Sequence, residues 1–154
     1  MLRTVAEFLK RWNRFRNIQD RLGENDYLHR YYLLFKTEDG NGDEARHYPF
    51  NAFIHNFKAS DDPVLHDHPW KWCSIVLKGG YWEHLADGSR NWRGPGSICF
   101  RKATDLHWVE TVPGLDTWTL FLHGRKQRKW GFIDDGKWVY WKTYLADRLA
   151  KNKT

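Results

Sequence analysis

The stretch VLHDHPWKWCS, residues 64–74, sets two histidines around one aspartate, with a cysteine five residues after the second. In an extended chain, residues two apart point to the same face. His66 and His68 would therefore aim two imidazoles at one point, and imidazole suits iron, nickel, copper and zinc. A pair is an incomplete metal site. His107, in TDLHWVE, is the candidate third ligand, near the start of a short strand that follows a Pro-Gly turn. For any one of the three taken alone, a core or surface histidine held by hydrogen bonds is the plainer account. Asp67 alternates to the opposite side and reads as a hydrogen-bonding group that stabilises the loop. Asp105 could orient His107 through its second ring nitrogen.

Other residues could bind a ligand at such a centre. Arg101 lies on SICFRKA, and an arginine inside a barrel is a good bidentate anchor for a carboxylate or phosphate; an outward surface arginine is the alternative. His55 falls between Phe53 and Phe57 in strand alternation. It could orient a substrate or relay a proton, or be a hydrogen-bonded core histidine. Tyr81, Trp70, Trp72 and Trp118 are candidate pocket walls, with core packing the default for each tryptophan.

These residues need elements to hold them. Leu2, Val5, Phe8, Leu9, Trp12, Phe15 and Ile18 recur at helical spacing with basic residues opposite, which predicts a helix over 2–22, stopped by Gly23. Such a helix suits a membrane surface or nucleic acid, or packs on the outside of a sheet. From Asp26 the pattern turns to β. YLHRYYLLFKT is followed by turn chemistry in EDGNGDE, and HYPFNAFIHNFKA is a second strand region. CSIVLKGGYWEHL predicts a strand pair about Gly79-Gly80, with Cys73, Ile75, Leu77, Tyr81 and Glu83 on one face unless a bulge intervenes. ADGSRNWRGPG reads as a loop, and SICFRKA, HWVETV and TWTLFLHG as further short strands. DDG makes a tight turn, and a last helix fades into a basic end. The expectation is one domain: an N-terminal helix within 1–24, a barrel over 26–133, and a C-terminal helix and tail over 138–154.

Composition bounds the partners. The 154 residues include ten tryptophans and 17% aromatics overall, which excludes a disordered chain. The net charge of +6 admits an anionic partner but is spread along the chain, so nucleic acid is not the expected one. No run approaches the roughly 20 apolar residues of a membrane span. The absence of a secretory pattern and the presence of only two cysteines, Cys73 and Cys99, lead to the expectation of a cytoplasmic protein with reduced thiols.

The order of these features resembles the cupin superfamily. His66 and His68 match the histidine pair of its first motif, Gly80 the glycine that closes it, and Pro95-Gly96 with His107 the second motif. The resemblance covers about residues 50–124 and implies a mainly β, double-stranded β-helix or jelly-roll barrel with a metal inside. HDHPW, GGYWE and KWGF are also similar to stretches of small bacterial and phage cupins. The motif glutamate is missing: Cys73, or Trp72 at the shorter spacing, stands in its place. A three-histidine site with a cysteine there resembles the thiol dioxygenase branch, of the cysteine dioxygenase type. In that branch the cysteine can crosslink to a tyrosine on a later strand; here that strand carries His123. Cys73 and His123 are thus expected near the metal, and Glu83 is a candidate substitute carboxylate ligand.

The resemblance implies Fe(II) held by His66, His68 and His107, with dioxygen and a small thiol or anionic substrate sharing the open positions. A non-oxidative cupin holding zinc, manganese or nickel, acting as isomerase, lyase or hydrolase, is the alternative. A third reading is a non-catalytic module that binds a nucleotide or sugar phosphate through Arg101, Arg125 and Arg128. A homodimer is compatible with all three.

Overall fold

A computed structural model describes residues 1–20, 23, 25–36 and 48–151. The chain opens with α1 (Leu2–Arg11), which is shorter than the periodicity predicts. Asn13 takes φ +54°, a left-handed conformation that ends a helix, and the chain returns as strand β1 (Phe15–Gln19). Ala6 and Leu9 of α1 pack on Tyr31, Ile54 and Trp118, so the helix covers the outside of a sheet. Phe15 and Ile18, read as helical positions, belong instead to β1, which pairs with β2 (Asp26–Tyr32).

The remaining strands are β3 (Phe50–Phe57), β4 (Trp72–Lys78), β5 (Tyr81–Leu85), β6 (Arg90–Arg93), β7 (Ile98–Arg101), β8 (His107–Thr111), β9 (Trp118–Gly124), β10 (Gly131–Asp134) and β11 (Lys137–Tyr140). ADGSRNWRGPG, expected as a loop, supplies β6, which pairs along β5. Residues 138–140, expected in the C-terminal helix, complete the β10–β11 hairpin around the Asp135-Gly136 turn. Helix α2 then spans Trp141–Lys151. The turn read in EDGNGDE lies outside the described residues.

Two antiparallel layers result. One sheet has the order β1-β2-β3-β9-β4-β7 and the other β6-β5-β8, which single bridges at His66 link to β10-β11. Their inner faces meet where Val76 of β4 packs with Tyr81 of β5 and Val109 of β8. The layers, antiparallel order and terminal helices are those of a jelly-roll cupin barrel. No helix of the described residues is long and apolar enough to cross a membrane.

Gly79 carries the chain from one sheet to the other. Its φ is +73°, and a Cβ there would lie 2.7 Å from the Asp116 carbonyl oxygen, so only glycine fits. This crossing resets the strand parity: Tyr81 and Glu83 face inward, whereas Cys73, Ile75 and Leu77 share the opposite face of β4 from Trp72, Ser74 and Val76. The single shared face expected for Cys73 through Glu83 is therefore not formed.

Candidate metal centre

His66 and His68 sit on an extended segment outside the named strands, laid between β8 and β10. His66 N–H donates to the His107 carbonyl and His107 N–H to the His66 carbonyl, both at 3.0 Å. Asp67 N–H donates to the Gly131 carbonyl at 3.1 Å, and His68 N–H to the Ala103 carbonyl at 3.1 Å. This pairing preserves alternation, so both histidines point inward and Asp67 points away. The buried Asp67 carboxylate accepts hydrogen bonds from Gly131 N–H (2.7 Å), Trp138 Nε1 (2.9 Å) and the Arg128 guanidinium. It clamps the segment to the β10–β11 hairpin.

The rings of His66, His68 and His107 converge, with one nitrogen from each lying within 4.8 Å of the others. His68 Nε2 and His107 Nε2 are 2.8 Å apart. Two nitrogens bound at about 2.0 Å and a right angle would be about 2.8 Å apart, so this pair is spaced as two ligands of one divalent transition ion. The ring orientations agree. The Val64 carbonyl lies 3.3 Å from His66 Nδ1 and accepts its proton, which makes Nε2 the lone-pair nitrogen. His107 Nδ1 faces Glu83 Oε1 at 3.3 Å, a long contact for a hydrogen bond, and has no closer partner among the described residues. Burial, then the neighbouring His107 and His66, holds His68 well below its ordinary pKa. It is neutral at pH 7, the form that ligates.

Glu83 lies outside the three-histidine group. Its carboxylate stands behind His107 and is held by Arg93 Nε at 2.8 Å and by Arg101 Nε at 3.1 Å and Nη2 at 2.7 Å. Cys99 Sγ donates to it from 3.8 Å. Burial pushes the Glu83 pKa up, but the His107 contact and the two arginines outweigh this and leave it at about 2. Glu83, not Asp105, is the carboxylate that faces the second ring nitrogen of His107; Asp105 instead accepts from Lys102 N–H at 2.9 Å and shapes a turn. Arg101 is committed to Glu83 and is no ligand anchor. Arg128 is likewise committed to Asp67, which removes it from the anion-binding set of Arg101, Arg125 and Arg128.

Trp72, not Cys73, occupies the motif-glutamate position that faces the histidines. Its ring centroid is 5.0 Å from His107 and 5.2 Å from His68. Cys73 is on the outer face, opposite Phe100 and Leu122 in the neighbouring strands. Cys73→Ser is therefore expected to leave metal content unchanged by elemental analysis. His123 shares the inner face of β9 with Phe121, opposite Trp72; its ring stacks on Trp70 at 4.1 Å and Nδ1 donates to the Gly124 carbonyl at 2.9 Å. Trp118 is on the outer face under α1, stacked on Tyr31, and does not line the cavity that the histidines open on.

The three histidines open on a cavity of about 390 Å³ inside the barrel, within the size range of small-molecule sites. Trp72, Tyr81, Phe57, Phe121 and Phe132 give it apolar walls. Trp141 and Leu145 of α2 and Ile18 of β1 also line it. His55 lies on its wall, with Nε2 accepting from Arg30 Nε at 2.9 Å. Burial, then Arg30 and His123, holds His55 well below its ordinary pKa, so it is neutral. Asp61 accepts from the Tyr27 hydroxyl at 2.5 Å and from Val109 N–H at 2.7 Å, with its Oδ2 4.0 Å from His66 Nε2. Sequence reasoning missed Arg30, Asp61 and Cys99, since none sits in a recognisable motif.

No protein-family model matches the chain, and no curated protein matches it. Solved structures do. The polyketide cyclase RemF from Streptomyces resistomycificus shares 21% identity over 76% of this chain and 78% of its own, with a TM-score of 0.56. A cupin-like protein from Thermotoga maritima shares 14% identity over 73% of this chain and 76% of its own, at 0.52. The DMSP lyase DddQ from Ruegeria pomeroyi shares 18% over 71% of this chain and 55% of its own, at 0.54. The fold is the cupin fold, and its three-histidine group could hold a metal ion.

Proposed function

We propose that the chain is a metal-dependent cupin enzyme that performs non-oxidative chemistry on a small molecule held in the barrel. The observation that carries this reading is the convergence of three imidazoles on an aromatic cavity. Cys73 was the feature that favoured thiol oxidation, and it lies on the outer face of β4. The cyclase and lyase among the solved neighbours are examples of non-oxidative chemistry on this fold. An ion held by His66, His68 and His107 would polarise a bound oxygen as a Lewis acid. The protein's part is positioning and proton handling. Glu83 fixes the His107 ring, and the aromatic walls exclude water. Tyr27 and Asp61 form a hydrogen-bonded acid–base pair on the cavity wall, placed to take or return a proton.

The test is a screen of small carbonyl and carboxylic acid compounds by mass spectrometry, with zinc-, nickel-, manganese- or iron-loaded protein under strict anaerobiosis. Turnover without dioxygen, lost in His107→Ala, is the expected result. Turnover that requires both Fe(II) and dioxygen would overturn the non-oxidative reading.

A further inference from the structure

The inner face of β1 and β2 carries a second concentration of polar groups, which bears on the ligand if the cavity is the binding site proposed above. Arg16 and Arg30 are cross-strand partners in the β1–β2 register. Like charges placed opposite each other across strands repel. Arg30 lines the cavity, with its guanidinium 4.5 Å from the Phe53 ring centroid. Among the described residues, neither guanidinium has a carboxylate within ion-pair distance. Arg16 Nη1 is buried with no hydrogen-bond partner among the described residues, and the same holds for the hydroxyls of Tyr32 and Thr119. Thr119 lines the cavity opposite His55 in the β3–β9 register. The cavity's own carboxylates are engaged elsewhere: Asp61 with Tyr27 and Val109 N–H, and Asp20 with Asn25.

A guanidinium is a donor only, and a buried cation without a counter-charge is costly unless a ligand supplies one. The orphaned hydroxyls add donors beside it. We propose that Arg30 and Arg16, assisted by Tyr32 and Thr119, form an anion-binding subsite, and that the cavity's ligand carries a carboxylate. This subsite is close to the metal centre. The Phe121 ring lies 5.2 Å from His55 and 6.5 Å from His68, so a single aromatic ring separates the two. A carboxylate held at Arg30 would present the rest of a small molecule to the three histidines.

The experiment uses EDTA-stripped protein, so that the probe cannot bind through a metal. Benzoate and its neutral isostere benzamide are titrated by calorimetry into wild type, Arg30→Gln, Arg16→Gln and His107→Ala. Benzoate is expected to bind at least about tenfold more tightly than benzamide in wild type and in His107→Ala. Either arginine substitution is expected to remove most of that preference while leaving zinc uptake intact; should Arg30→Gln not fold, Arg16→Gln carries the same expectation. Absence of benzoate binding, equal binding of the two probes, or an undiminished preference in the arginine variants would overturn the proposal. The metal reading fails separately, if His107→Ala takes up zinc as wild type does.

Discussion

His107→Ala is expected to lower the affinity of the protein for zinc or nickel by more than about 100-fold, and to abolish any metal-dependent turnover. Loss of a group that merely orients a ligand costs roughly 10–100-fold, and His107 is itself one of three donors. Its Nε2 is 2.8 Å from that of His68, so its removal leaves a two-nitrogen site. The loss is specific to the metal. His107 also holds the His66 segment, but through backbone hydrogen bonds that alanine retains. Competition with a chromogenic chelator measures the affinity, and far-ultraviolet circular dichroism checks the fold. Retention of tight binding would remove His107 from the ligand set.

Glu83→Gln is expected to destabilise the fold by about 3 kcal/mol, at the lower end of the cost of breaking a buried ion pair. The lower end applies because the Arg93 and Arg101 side chains keep 22% and 18% of their exposure, and solvent offsets part of their unpaired charge. For a chain of this length, the melting temperature should fall by roughly 6–12 °C. The same variant should weaken zinc binding by roughly 10–100-fold, because a neutral amide in place of the carboxylate cannot hold the His107 ring by charge. Glu83 also sets an acid limit. Its folded pKa of about 2 is below the ordinary 4.5, so its stabilisation is fully present above pH 4.5 and is lost as pH falls toward 2. Chemical denaturation of wild type and Glu83→Gln across that window checks this: the stability gap should close as the pH falls.

The ordered motif made the barrel and the three histidines legible in the sequence, because Pro95-Gly96, Gly80 and the histidine pair are local features with fixed spacing. What escaped was facing wherever a turn or crossing resets the alternation. Gly79 resets the parity between β4 and β5, so Cys73 and Glu83 fall on opposite sides of their layers. Asn13 breaks a helical period that otherwise continues into β1, because the apolar spacing of 12–18 serves either element. Trp118 and Arg101 looked alike as pocket residues; one covers the outer face under α1 and the other pairs with Glu83. Arg30 and Asp61 had no signal at all, since only the register of β1, β2 and β3 brings Arg30 to His55, and only folding brings Asp61 to His66.

X-ray absorption spectroscopy of the zinc-loaded protein tests the centre most directly. Three imidazole nitrogens at about 2.0–2.1 Å, with the remaining ligands oxygen and no sulfur, are predicted. A sulfur shell at about 2.3 Å, or fewer than three imidazoles, would contradict the assignment of His66, His68 and His107.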